Sequence, residues 1–317
     1  MTTPPIILDA AAIARLLPQI DVLQEMRQLF IGLGGAQAVQ PPQTLALLPE
    51  DKGDFITYLG ADTNAGVFGA KLSPYIVTGG KPIITAWTVL MSSETGQPLC
   101  LCDAGALTTE RTAATTALAV DLLAPQGAQN IAIVGSGPVA AAHWLHVQNL
   151  RPWQQVHVYS PSLKSGSDAW AQWQSICPSA VLAESAETAA QNTDVAMLCT
   201  SSGTPVVDHR KLKSNALVTS ISTNVHRAHE VDPAFLNVAQ VYCDYRATTP
   251  TTAGEMVLAA QDHGWTANDL RGDLGELSVG TCPPPDEGRP VFFRSVGLGL
   301  EDIAIAHAIY RAARAQD

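Results

Sequence analysis

The sequence predicts an α/β protein in two parts, a doubly wound parallel sheet and an α+β domain. Three observations lead there. After residue 129, short fully apolar segments alternate with helical ones, the pattern of parallel strands covered on both faces. Before residue 105, extended segments rich in β-branched residues follow one another between Gly and Pro breaks, as in an antiparallel or mixed sheet. The chain has 317 residues, 46% of them hydrophobic and 15% charged, enough for two ordinary cores and too apolar for disorder.

In chain order, one or two helices come first. The segments "DFITYLG", "VFGAKL", "IITAWTVLM" and "PLCLCDA" then read as strands. A helix through "TTERTAATTALAV" follows and stops at "APQGAQN". With Thr108 or Thr109 as N-cap, Arg111 falls in the first turn, where the helix dipole is already positive and a cation calls for an anion. Glu110 or Asp103 could be that anion, or a ligand could supply it. "NIAIVG", "QVHVYS", "DVAMLCT", "ALVTSIS" and "QVYCDY" are the strands of the alternating region, with helices through "VAAAHWLHVQNL" and "DAWAQWQSIC". A last strand, "PVFFRSVG", leads into the amphipathic helix "LEDIAIAHAIYRAARA", a tail expected to return to the first domain.

The formal charge of −11 argues against a nucleic acid or an anionic membrane as partner. It also makes cations informative, and Lys71 is one of only six lysines. The start carries no basic region ahead of an apolar run, and "TALAVDLLA" is broken by Asp121, so neither a secretory signal nor a membrane span is read and a cytoplasmic protein is expected. Six scattered cysteines contain no C-x-x-C pair, and Cys100 and Cys102 read as buried thiols on one strand face.

The clearest chemistry is Gly135-x-Gly137-x-x-Ala140, which follows a strand and opens a helix. Gly135 permits the tight turn, Gly137 lets the backbone approach a pyrophosphate, and Ala140 lets helix pack on strand, so Gly135, Ser136, Gly137, Pro138, Val139 and Ala140 form a Rossmann dinucleotide turn. The second strand ends in "VYSPSLKSG" without the acid that holds a ribose hydroxyl. Ser160, Ser162 and Lys164 suit a 2′-phosphate, which favours NADP(H) while NAD(H) stays possible. His143 and His146 read as ordinary helix histidines, and no metal site is expected. Trp170 and Trp173 read as packing, Glu230 as a helix start, and Asp302 as a cap or tether of the last helix, or a group that orients a site residue.

"LTTERTAA", "VGSGPVA", "STNVHRAHEVD" and "VFFRSVGLGLEDIAIAHAIY" occur in that order. Together they resemble the ornithine cyclodeaminase/mu-crystallin family from about residue 40 to the end, most of all the members that reduce Δ1-pyrroline-2-carboxylate to L-proline. The resemblance implies a homodimer built through a substrate/dimerisation domain, residues 1–118 and 293–317, with a Rossmann domain, residues 119–292, facing it across a cleft. It implies that Arg111 and Lys71 grip the substrate carboxylate, forming a local positive pocket. It places Thr200, Ile221, Ser222, Thr223 and Asn224 beside the ribose and nicotinamide, and Ser295 near the carboxamide.

Two departures matter. Gln43 stands where many relatives have a carboxylate-binding arginine, which leaves it as a substrate contact without charge. Asn224 stands where cyclodeaminases have a proton-transferring aspartate, and an amide is no general base near neutral pH. The second weighs against a cyclodeaminase and, with the resemblance, toward NAD(P)H-dependent reduction of a cyclic 2-imino acid, Δ1-pyrroline-2-carboxylate or Δ1-piperideine-2-carboxylate, to L-proline or L-pipecolate, with Asn224 near the imine nitrogen. The alternatives are an ornithine or lysine cyclodeaminase, an amino-acid dehydrogenase using a keto acid and ammonia, and a mu-crystallin-like binding protein.

Overall fold

The computed structural model describes residues 4–223 and 227–316, which form two compact units: Met1–Arg111 with Gly297–Asp317, and Thr112–Val296. The sequence-based boundaries lay at 118/119 and 292/293. Among the described residues no helix is long and apolar enough to cross a membrane.

The first unit contains β1 (Ile6–Leu8), α1 (Ala10–Leu16), α2 (Val22–Gly34), β2 (Ala38–Val39), β3 (Thr44–Leu47), β4 (Gly53–Asp62), β5 (Val67–Ile76), β6 (Ile83–Ile84), β7 (Trp87–Ser92) and β8 (Pro98–Asp103). Asp9 and Asp21 cap α1 and α2 by accepting backbone N–H groups of the first turn. The strands form one mixed sheet in the order β1-β8-β7-β5-β4-β2, with β3 on β4 and β6 on β5; only the β1–β8 pair is parallel. Side chains alternate cleanly between its faces. One face carries Lys71, Thr88, Leu90, Cys100 and Cys102, all buried. The other presents Ile7, Leu59, Phe68, Leu72 and Leu101 to solvent.

Helix α3 (Gly105–Leu123) carries the chain into the second unit. There follow β9 (Asn130–Val134), α4 (Pro138–Val147), β10 (Gln155–Tyr159), α5 (Asp168–Ile176), β11 (Ala180–Leu182), α6 (Ala186–Ala190), β12 (Val195–Leu198), β13 (Leu217–Ser220), β14 (Gln240–Cys243), α7 (Thr249–Thr252), α8 (Gly254–Asp262), β15 (Leu270–Asp273), α9 (Leu274–Val279) and β16 (Val291–Arg294). The sheet is wholly parallel, in the order β11-β10-β9-β12-β13-β16-β14-β15; its central strands β12, β13, β16 and β14 are buried throughout, whereas β10 and β11 at one edge are partly exposed. The chain leaves β9 to one side for β10 and to the other for β12, the topological switch beside which such sheets bind ligands.

The last strand does not return with the tail. β16 lies inside the parallel sheet, paired to both β13 and β14, so residues 293–296 stay in the second unit. Only α10 (Gly299–Arg314) rejoins the first unit, where it packs on the Lys71 face of the sheet: a Cβ on Gly60 would meet the Leu300 backbone at 2.6 Å.

Candidate active site

In the first unit, α3 begins at Gly105, whose N–H is taken by Asp103 Oδ1 at 3.0 Å. Arg111 therefore sits in the second turn, and the expected start at Thr108 or Thr109 is corrected. The anions beside Arg111 come from α10. Its Nε–H donates to Asp302 Oδ1 at 3.0 Å and its Nη1–H to Glu301 Oε2 at 2.7 Å. Lys71 Nζ lies 2.8 Å from Asp302 Oδ2, 3.4 Å from Thr108 Oγ1 and 4.2 Å from the centre of the Tyr58 ring, a cation–π contact. Asp302 thus bridges both cations and orients them, where a capping role was one expectation. Gly297 makes room for this cluster: its φ of 81° is left-handed, and a Cβ there would stand 2.4 Å from Arg111 Nη1.

All four charged side chains are at most 5% exposed. Two cations face two carboxylates, so the expected local positive pocket is instead a balanced cluster. Burial pulls Lys71 down to about 8, against the opposing pull of Asp302 and with Arg111 adding to the fall. Burial also works against the Arg111 charge, but Asp302 and Glu301 outweigh it and hold the guanidinium above its ordinary value. Burial raises Tyr58, with Arg111 opposing. Gln43 is exposed and directly precedes β3.

In the second unit, Gly135 follows β9 with φ 133°, and a Cβ on it would meet Cys199 O at 2.4 Å, so only glycine makes this turn. Gly137 is the N-cap of α4, has no side-chain cap, and a Cβ there would meet nothing within 4 Å. The buried Ala140 packs the helix onto the strand. An uncapped helix N-terminus behind a bare glycine fits a dinucleotide pyrophosphate. Trp173 adds more than packing, since its Nε1–H donates to Ser136 O at 3.1 Å and holds the turn. At the end of β10, Ser160 and Ser162 hydroxyls lie 3.2 Å apart beside the exposed Lys164.

The loops after β12 and β13 are tied by a residue that sequence reasoning read as a helix start. Glu230 is fully buried. Its Oε1 accepts from Thr200 N–H (2.9 Å) and Oγ1–H (2.6 Å), and its Oε2 from Ser220 Oγ–H (2.8 Å) and the Ile221 and Ser222 N–H groups (2.9 and 3.0 Å). The helical turn beyond it is capped by Asp232. Arg294 grips the same loop from β16, through Ser220 Oγ at 3.2 Å and the Ser222 carbonyl, and pairs with the buried Glu255 at 2.9 Å. Burial raises the Glu255 carboxyl, with Arg294 opposing. The sequence signal available for Glu255 and Arg294 was a charge inside the apolar strings "AGEMVLAA" and "PVFFRSVG"; Glu230, in "VHRAHEVD", had none. Thr223 is exposed, and Ser295 is buried with its Oγ–H on Asp244 Oδ2 at 3.1 Å. Asn224 lies outside the described residues. A surface pocket of about 730 Å³ opens at the amino ends of β13 and β16, lined by residues 122–127 and 284–289 among others, and holds none of these groups.

The sequence profile of the ornithine cyclodeaminase/mu-crystallin family matches residues 15–317. The NAD(P)H-dependent anabolic L-arginine dehydrogenase DauB of Pseudomonas aeruginosa is 54% identical over 311 residues, 98% of each chain. The Δ1-pyrroline-2-carboxylate reductase of Colwellia psychrerythraea is 25% identical over 279 residues, 84% of this chain and 87% of that one. Among solved structures, a probable ornithine cyclodeaminase from Bordetella pertussis superposes with a TM-score of 0.89 at 27% identity, covering 99% of this chain and 98% of that one. The fold is shared as well by the Thermococcus litoralis Δ1-pyrroline-2-carboxylate reductase in complex with NADH and L-proline, with a TM-score of 0.90 at 20% identity and 98% of each chain covered.

Proposed function

The chain belongs to the ornithine cyclodeaminase/mu-crystallin family, and on that premise we propose that it is an NAD(P)H-dependent oxidoreductase of the carbon–nitrogen bond of 2-amino acids, with arginine as its amino acid. The observation that carries the substrate is 54% identity to an L-arginine dehydrogenase across 98% of both chains. The cyclic imine, Δ1-pyrroline-2-carboxylate, becomes the second reading, favoured by two reductases at 25% and 26% identity.

In this reading the second unit holds the dinucleotide, with its pyrophosphate on the Gly135–Ala140 turn and Thr200, Ile221, Ser222 and Thr223 along it. Ser160, Ser162 and Lys164 receive a 2′-phosphate, so NADP(H) is the preferred form. The cofactor supplies the hydride. Glu230 and Arg294 clamp the loop at 220–222 from its N–H and carbonyl sides, which fixes its backbone before any ligand binds. Ser295, bonded to Asp244, steadies the strand end that follows β16.

The 2-imino acid is held in the first unit by its carboxylate on Lys71 and Arg111. Glu301 and Asp302 fix the two cations in place, so little side-chain freedom remains to be lost on binding. Gln43 adds an uncharged contact, and Asn224 meets the imine nitrogen. The exposed apolar sheet face around Ile7, Phe68, Leu72 and Leu101 is the surface through which two copies pair. Leu101→Asp is then expected to yield monomers in sedimentation velocity.

The deciding assay follows NAD(P)H absorbance with the 2-oxo acid of arginine plus ammonia, and separately with Δ1-pyrroline-2-carboxylate. Turnover with the first mixture and L-arginine as product supports the first reading. Turnover with the ring compound alone replaces it by the second, and ammonia release from ornithine without net cofactor change overturns both.

A further inference from the structure

Along the β4–β5 pair, directly opposed residues share a face: Tyr58 with Lys71, Ile56 with Ser73, Asp54 with Tyr75. Leu45 and Leu47 of β3 oppose Ile56 and Asp54, and Ile84 of β6 opposes Tyr75, so these fall on the same side of the sheet. Helix α10 covers this face over Gly60 and reaches the Tyr58 backbone with Gly299. Beyond the Tyr58–Lys71 pair the face is open, with Leu45 57%, Leu47 76%, Tyr75 41% and Ile84 69% exposed. It is an apolar strip that starts at the carboxylate anchor and ends at one acid.

That acid is Asp54. It is half-buried, and its carboxylate takes part in no hydrogen bond or ion pair among the described residues. The nearest cation in sequence, Lys52, is spent on Glu50 at 2.7 Å. The hairpin before β4 fixes the position: Gly53 has φ 127°, pairs with Ile76, and a Cβ on it would strike Tyr75 O at 1.9 Å. Asp54 lies four positions before Tyr58 on β4, roughly 13 Å at strand rise. That is the span of an extended amino acid of arginine's length with an ion pair at each end.

We propose that Asp54 selects the substrate by pairing with the cationic end of its side chain, while the open strip beside it takes the aliphatic stem. The proposal rests on the reading of Lys71 and Arg111 as the carboxylate anchor. Planar guanidinium meets carboxylate in two parallel bonds, and a neutral head of the same shape forfeits the charge.

The test compares kcat/KM for L-arginine, L-citrulline and L-norvaline in the oxidative direction with NADP⁺, in wild type and Asp54→Asn. Citrulline keeps the length without the charge, and norvaline keeps the stem alone. Wild type is expected to prefer arginine to citrulline by about 30-fold or more, and Asp54→Asn to lose most of that preference through KM while norvaline is unaffected. Asp54→Arg, a charge reversal at a half-exposed strand position, is expected to favour L-2-aminoadipate over arginine. Wild type active on arginine with the arginine-to-citrulline ratio unchanged in Asp54→Asn overturns this inference and leaves the proposed function standing. Wild type inactive on all three amino acids overturns the proposed function and this inference with it.

Discussion

The two candidate centres are built in opposite ways. The dinucleotide turn of the second unit is six consecutive residues, carries no charged side chain, and owes its shape to where Cβ atoms are missing. The ion cluster of the first unit joins Lys71, Arg111, Glu301 and Asp302, with bonds across 190 and 191 residues of chain, and owes its shape to charges that neutralise one another. The contrast teaches where each is fragile. A turn made by absence tolerates changes that leave its space empty, whereas a balanced cluster fails when any one member goes, because the survivors are left buried and unpaired.

The largest effect is therefore expected from Arg111. Arg111→Ala leaves Glu301 and Asp302 against Lys71 alone, a buried net charge that costs about 3–5 kcal/mol in urea unfolding. Arg111→Lys keeps the charge and loses the fork that meets both acids, so it isolates geometry from charge. That variant is expected to fold, to bind NADPH as wild type does, and to lose about 100-fold in kcat/KM for the amino acid. Full activity in Arg111→Lys would make the cluster a structural tether and remove it from the site.

The turn answers to a paired test of two glycines. Gly135→Ala forces a Cβ into Cys199 O and a left-handed φ on alanine, so stability falls, by about 1–3 kcal/mol. At the exposed Gly137 a Cβ would meet nothing within 4 Å, so Gly137→Val is expected to keep the wild-type unfolding midpoint. Its side chain instead occupies the space a pyrophosphate needs, and NADPH affinity is expected to fall by well over tenfold. Wild-type affinity in Gly137→Val would show that the dinucleotide binds elsewhere.

How legible each centre was follows from the same contrast. The parallel sheet, the turn and the strands around Lys71 were readable because hydrophobic period and glycine spacing are local properties. The helix start was misplaced by four or five residues because Thr108 and Thr109 resemble caps, while Asp103 further back takes the Gly105 N–H. The return of the last helix to the first domain was expected, but not the register that sets Glu301 and Asp302 against Arg111, because that pairing spans 190 residues of chain. Glu230 escaped for the same reason, since all five of its donors come from other strands' ends.

Glu230 also offers a smaller effect that sharpens the comparison, being a charge that serves the second unit's loops. In Glu230→Gln one oxygen becomes an NH₂ that cannot accept, so two or three of the five donors lose their acceptor at about 1–3 kcal/mol in stability. The loops at 200–202 and 220–222 loosen with it. NADPH affinity measured by fluorescence titration is expected to weaken about tenfold, with the amino-acid KM unchanged. Unchanged NADPH affinity would reduce the clamp to a core feature.

The smallest effect is the pH limb of Lys71, which works on binding and stability with opposite signs. Burial lowers its pKa to about 8 from the ordinary 10.5. Carboxylate affinity depends on the protonated amine, so it is complete below about pH 8 and is lost above it, and KM for the amino acid is expected to climb about tenfold per pH unit there. The unfolded chain keeps this proton up to about 10.5, so it binds more protons than the folded protein between 8 and 10.5, and this group's contribution to stability rises across that window. Lys71→Arg moves the titration out of range and is expected to abolish the KM limb. A limb that persists in Lys71→Arg belongs to another group, and the amine would then have no part in holding the carboxylate.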